Sequence, residues 1–278
     1  MELTPRRLRV LVLCVALATG NAVAQGHDHH DHHGHHGHHG MDDAAVVATP
    51  DPHHVGVALA VVGANYVSPL FEGTYQGLTT GVSWSYRRFA AMAMLTGYRL
   101  DKNGRAVYGV GDLMVHGQVS AWANERWSTG FILMVSAPTG SAQAGIGMGH
   151  AMLMPEAFAT LMLGRVMLDA GAGYTRGLGG TNAHAEHGAV MWPLVDPMTM
   201  SELTMRAGVS VTTTRQLSVA LRAIAAVPFV DDADNRLVGA LRVAWRRGRF
   251  ETSADLAQGL VGDPFGTRIT IGTALQMN

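Results

Sequence analysis

From about residue 55 onward the apolar and polar positions of the chain alternate one by one. In the run from Leu78 to Arg87, one set of alternate positions carries Leu, Thr, Val, Trp and Tyr, and the other carries Thr, Gly, Ser, Ser and Arg. Between Arg165 and Tyr174, Val166, Leu168, Ala170, Ala172 and Tyr174 oppose Arg165, Met167, Asp169, Gly171 and Gly173. The split returns in Glu202 to Val211, Leu237 to Arg246 and Arg268 to Met277. A period of two is the signature of a strand with one apolar face. It predicts about twelve strands, at 55–66, 77–87, 89–99, 110–122, 126–137, 150–162, 164–175, 202–212, 216–228, 237–246, 249–258 and 267–277.

Alternation alone fits a soluble sandwich as well as a membrane barrel, and the connections separate the two. Joins after even-numbered strands are short: Arg88, Asn124-Glu125, Leu163, Arg215 and Arg247-Gly248. Joins after odd-numbered strands are longer: 69–76, 101–109, 138–149, 176–201, 229–235 and 259–266. Short turns on one rim and long loops on the other are the arrangement of outer-membrane barrels with an even strand number. Greek-key crossings would not sort loops by parity. The expected fold class is therefore all-β, an antiparallel transmembrane β-barrel of about twelve strands, with a soluble β-sandwich as the alternative.

On the barrel reading the polar face lines a lumen holding Arg87, Asp112, His116, Arg165, Asp169, Glu202, Arg206, Arg222, Arg242, Arg246, Glu251, Asp255 and Arg268. Both signs are present, so these charges can pair instead of being buried alone. Trp84, Tyr86, Tyr174 and Trp245 fall near strand ends on the apolar face, where aromatic girdles meet lipid headgroups.

The chain opens with Arg6, Arg7 and Arg9, an apolar run from Val10 to Ala18 and the triplet Ala22-Val23-Ala24, the layout of a secretory signal peptide over residues 1–24. Setting aside the three arginines and Glu2 leaves 17 basic and 20 acidic side chains, a balance that points to no nucleic-acid partner. The single cysteine, Cys14, lies in the leader, so the mature chain has no disulfide or thiolate metal site. No later stretch has the roughly 18 apolar residues of a spanning helix, and a membrane-inserted body would have to be a closed barrel.

Val135-Ser136-Ala137-Pro138-Thr139-Gly140, then Gly145-Ile146-Gly147-Met148-Gly149, then Ala170 to Tyr174, preceded by Tyr108-Gly109-Val110-Gly111-Asp112-Leu113, form an ordered set. The set resembles the outer-membrane barrel family named for the MetA pathway of phenol degradation, over roughly residues 55–277. The resemblance implies an outer-membrane channel or transporter for small molecules, aromatic or hydrophobic compounds among them, and carries over no substrate-contacting residue. The chain departs from outer-membrane barrels in ending Leu275-Gln276-Met277-Asn278 instead of on an aromatic residue.

Residues 26–40 read GHDHHDHHGHHGHHG, with His27, His29, His30, His32, His33, His35, His36, His38 and His39 among Asp and Gly. Imidazole at many spacings on a Gly-rich chain offers overlapping ligand sets, so residues 25–54 read as a disordered His-rich tract and linker that binds exchangeable divalent Zn, Cu, Ni or Co, with no tightly held cofactor. His53 and His54 extend that set to the barrel rim, and His184 and His187, with Glu186 between them, form a further candidate in the longest loop. Asp231, Asp232 and Asp234 lack the spacing of an EF-hand and read as a solvated turn. Methionines gather at 148, 152, 154, 162 and 167 and again at 191, 198, 200 and 205; thioethers suit Cu(I), which raises copper as a candidate, although Met is also a flexible apolar filler.

There is no Cys nucleophile, Gly-x-Ser-x-Gly elbow or His-Glu-x-x-His motif, so no enzyme is expected. The expectation is a cell outer-membrane barrel over 55–278 that contacts lipid, metal ions and an unknown small solute, with its amino terminus in the periplasm. Two alternatives stand: a secreted or periplasmic metal-binding protein with a sandwich body, and an organic-solute channel with an incidental His tract.

Overall fold

The computed structural model describes residues 53–67, 72–179, 200–229, 234–263 and 265–277. Thirteen antiparallel segments follow in order: β1 (His54–Val67), β2 (Glu72–Tyr86), β3 (Phe89–Lys102), β4 (Arg105–Val110), β5 (Leu113–Ala123), β6 (Trp127–Ala137), β7 (Ala151–Leu163), β8 (Val166–Leu178), β9 (Ser201–Thr212), β10 (Leu217–Pro228), β11 (Arg236–Arg247), β12 (Phe250–Val261) and β13 (Phe265–Met277). Apart from β4 and β5, each segment pairs with its neighbour in sequence, and β1 pairs with β13 from Val55↔Met277 to Tyr66↔Phe265, which closes the sheet on itself. β4 and β5 are two pieces of one wall strand, because β3 pairs with β4 along Gly97–Lys102 and with β5 along Phe89–Met94. The result is a closed antiparallel barrel of twelve strands. Closure excludes the sandwich alternative, since it removes both sheet edges.

The barrel is apolar outside. Phe131 and Leu133 on β6 are 60 % and 46 % exposed, whereas Ser128 and Ser136 on the opposite face are 1 % exposed. Leu59, Val61, Val82, Leu221, Leu241, Leu256, Ile269 and Ile271 continue the exposed band around the wall. In water such a surface would aggregate, whereas in hydrocarbon it is the surface a barrel needs. Among the described residues no helix is long and apolar enough to cross a membrane. The strands are long enough: β2 has 15 residues and β6 has 11, against the roughly 9 to 11 a tilted strand needs. Trp84, Phe89, Trp122, Trp127, Trp245 and Phe250 project outward near the short-turn rim. That is the position of an aromatic girdle. Trp84 and Trp245 stand in it as expected; Tyr174 lies toward the other rim, its ring 5.8 Å from that of Phe229.

The loop parity holds in part: the joins at 138–150, 179–200 and 229–235 are long, but those at 68–71, 103–104 and 262–264 are as short as the turns of the other rim. Residues 101–109, expected as a loop, continue the wall as a β3–β4 hairpin turning at Asn103-Gly104, where both residues have positive φ (49° and 81°). Asn-Gly is the pair that a two-residue hairpin turn requires. Likewise β2 begins at Glu72 and β13 at Phe265, so the joins expected at 69–76 and 259–266 are mostly strand.

Candidate functional site

The lumen is built by the inward positions of each strand. Nine of the expected lumen charges are inward: Asp169 on β8, Glu202 and Arg206 on β9, Arg222 on β10, Arg242 and Arg246 on β11, Glu251 and Asp255 on β12, and Arg268 on β13. They pair as a buried mixed set should. Arg206 Nε donates to Glu156 Oε1 at 2.7 Å and Nη1 to Asp169 Oδ2 at 3.4 Å, while Arg222 Nε lies 4.0 Å from Asp169 Oδ1. Arg242 bridges Glu251 at 3.1 Å and Asp255 at 3.5 Å, and Arg246 reaches the other Glu251 oxygen at 3.1 Å. Arg236 Nη2 donates to both oxygens of the fully buried Glu202 at 2.7 Å. The Arg268 guanidinium sits 4.7 Å from the centre of the Phe265 ring. Two partners were missed in the sequence: Glu156, an inward position of β7, and Arg236, which lies one residue before the strand expected at 237.

Three expected lumen residues are elsewhere. Arg87 is in the β2–β3 turn, exposed, with φ 54° and its guanidinium 5.0 Å from the Tyr86 ring centre. Arg165 is exposed in the β7–β8 turn. Both continue the alternation of their strands, but at the last position the chain has already left the wall. Asp112 lies between β4 and β5 and serves as an anchor: its Oδ1 accepts from Gly140 N–H and its Oδ2 from Met148 N–H, both at 2.8 Å. Beside it, Thr139 Oγ1 accepts from Leu113 N–H at 2.8 Å and donates to Gly111 C=O at 2.9 Å. The Gly-Asp and Pro-Thr-Gly motifs, 28 residues apart in the chain, thus form one clasp. A Cβ at Gly147 would stand 2.7 Å from Asp112 Oδ1, which is why glycine lies there.

The clasp folds residues 138–149 against the barrel mouth. Ile146, 2 % exposed, joins a cluster of Tyr66, Tyr75, Leu100, Val238, Ala257 and Phe265 contributed by β1, β2, β3, β11, β12 and β13. These six strands are consecutive around the closed sheet, so the cluster is an apolar collar along one half of the loop end, with Ile146 as the loop's contribution.

Below the collar the wall is unequal. Arg and carboxylate side chains line β8 to β13 and include Glu156 in the middle of β7, whereas β3, β5, β6 and the first residues of β7 carry thioethers. Met92↔His116↔Met134↔Met154 form one row across these four strands, and Met94↔Met114↔Ser136↔Met152 the next. His116 is inward and buried, as expected, and sits in the first row. Met148, Met152 and Met154 form a buried cluster with Met114 and Met134 packed against it. His150, just before β7, places Nε2 2.9 Å from Met152 Sδ. Burial pushes its imidazole down from the usual value, against smaller upward contributions from its bond with Met148 and from Asp112. Burial thus favours the neutral ring.

The expected metal residues divide. His27, His29, His30, His32, His33, His35, His36, His38 and His39, with His184 and His187, lie outside the described residues. His53 stacks on Tyr86 with ring centres 4.2 Å apart, beside Trp84 on the outer side of the rim. His54 opens β1 opposite Ser85 at an inward position, so the two imidazoles face opposite sides of the wall and do not form one ligand pair. Among the described residues no three His, Cys, Asp or Glu side chains gather as an ion site.

No protein-family model matches the chain, and no curated protein does at the level that marks relatives, so the resemblance to the phenol-degradation barrels stands on its motifs. Solved structures do match in fold. The COG4313 outer membrane channel from Pseudomonas putida F1 superposes with a TM-score of 0.66 at 12 % identity, covering 86 % of this chain and all of the other. The NanC porin gives 0.56 at 8 % identity over 79 % of this chain and 100 % of its own, and the KdgM porin 0.52 at 7 % over 80 % and 99 %. The chain shares the closed-barrel fold of these outer-membrane channels.

Proposed function

We propose that the chain is an outer-membrane channel for small solutes, and that its His-rich segment binds exchangeable divalent metal ions at the periplasmic mouth. One observation carries the channel reading: a closed barrel has an apolar exterior and an interior lined by paired charges, the reverse of a soluble protein. The periplasmic placement follows from topology. Val55 and Met277 lie side by side at the short-turn rim, which in bacterial barrels faces the periplasm. The chain entering β1 therefore arrives at that rim, and a tract of nine imidazoles preceding it would raise the local concentration of Zn, Cu, Ni or Co there.

Conductance of the full-length protein in planar bilayers, with and without zinc or copper, beside a form lacking residues 26–40, tests both parts. Discrete conductance steps support the channel, and their absence from folded, inserted protein rejects it. A metal-dependent change confined to the full-length form supports the tract's role. An unchanged trace, with equal zinc bound by both forms, rejects that role and leaves the organic-solute channel with an incidental tract.

A further inference from the structure

We infer that the thioether and imidazole patch inside the barrel is a binding site for a soft monovalent cation, copper(I) or its congener silver(I), with His150, Met152 and Met200 as its centre. The inference does not rest on the His-rich tract, which would take borderline divalent ions, and it concerns a different part of the molecule.

Convergence is the first argument. His150 Nε2 and Met152 Sδ are 2.9 Å apart, closer than plain apolar packing requires. Gly177, the register partner of Met152, leaves room that the Met200 thioether occupies. A Cβ there would lie 2.6 Å from Met200 Sδ and 3.1 Å from His150 Cδ2. Two thioethers and one imidazole thus meet over a glycine, and Met148 and Met154 complete the buried surround. A bound ion would replace the nitrogen–sulfur contact. Met has three rotatable bonds, so a small rotation of Met152 suffices to open it.

Chemistry is the second. Thioethers are soft, neutral ligands that hold Cu(I) in preference to Zn(II) or Mg(II), and a neutral imidazole is a suitable companion. A monovalent ion in this buried place needs a compensating charge, and Asp112 is the nearby source: its carboxylate accepts the backbone N–H of Met148, one of the flanking thioether residues, at 2.8 Å. Position is the third. Lipid-facing methionines would be plain filler, but these occupy the lumen side of four adjacent strands in two consecutive rows. An ordinary porin wall at that level would be wetted by polar side chains.

The test uses the full-length chain in detergent. Silver(I) binding is measured by equilibrium competition for the native protein and for a variant carrying Met148→Leu, Met152→Leu, Met154→Leu and Met200→Leu, changes that conserve volume. The tract contributes equally to both. The native protein should hold one more tightly bound equivalent than the variant, with at least about a hundredfold weaker binding at that site once the thioethers are gone. Equal stoichiometry and affinity overturn the site. Should the variant misfold, full-length selenomethionyl protein loaded with copper(I) decides: selenium neighbours in the copper X-ray absorption spectrum support the site, and a shell of nitrogen and oxygen alone overturns it. Neither measurement depends on conductance, so the site and the channel reading succeed or fail separately.

Discussion

Replacing Asp112 with Ala should release the 138–149 loop from the barrel mouth and enlarge the conductance. The carboxylate accepts two backbone N–H groups, those of Gly140 and Met148, each at 2.8 Å. Hydrogen bonds to a charged acceptor contribute about 1.5–3 kcal/mol each, so the substitution removes roughly 3 kcal/mol or more from the docked state. At about 1.4 kcal/mol per tenfold, that is a factor of about 150 in the ratio of docked to released loop. A loop docked about 99 times in 100 would then be released for more than half of the time. Asp112→Asn keeps one acceptor oxygen and turns an amide donor toward the second N–H, so it should reproduce most of the effect. Single-channel recording reads the change as a larger or more frequent open step. Thermolysin reads it independently through cleavage near Ile146 and Met148, sites that the docked loop buries. A folded Asp112→Ala barrel with the conductance and protease resistance of the native protein would refute the clasp.

Two further substitutions test the wall. Glu202→Gln should leave the buried Arg236 without its ionic partner and cost about 3–5 kcal/mol, read as a lower temperature for loss of the folded band in semi-native electrophoresis; adding Arg236→Met should recover much of it, since a matched apolar replacement removes both charges. Gly130→Ala should destabilise the β5–β6 pairing by at least about 1–3 kcal/mol, because its Cβ would overlap the Val119 carbonyl oxygen and press on the Phe158 ring at 2.9 Å, whereas Gly97→Ala, with nothing within 4 Å of its Cβ, should shift the same temperature little.

How far the molecule could be read from its sequence depended on the range of each signal. Alternation is local and repeats along every strand, so it revealed the wall and the inward set from Asp169 to Arg268. It says nothing about where a wall ends, which is why Arg87 and Arg165 were assigned to the lumen although they stand in turns. The extension of β3 into β4 was signalled by Asn103-Gly104, but the polar run Asp101-Lys102-Asn103 looked like solvent-facing loop because the hairpin tip there is polar. Asp112 read as one more lumen charge and not as a clasp, since its partners are 28 and 36 residues away. The methionine patch was visible only as two gatherings along the chain, at 148–167 and at 191–205. What gives it shape is the lateral register of β3, β5, β6 and β7, and no single segment of the chain contains that.

If the barrel is the channel proposed above, its unequal lumen has a consequence for whatever passes through. Wall strands that carry ion pairs face strands that carry polarisable sulfur, so the electric field across the bore has a direction perpendicular to the axis of travel. A molecule with one polar and one greasy edge would cross in a preferred roll, presenting its charge to β8–β13 and its carbon skeleton to β3, β5 and β6. Discrimination in such a passage acts on the distribution of polarity around a solute, and two isomers of equal width and equal charge would be transported at different rates.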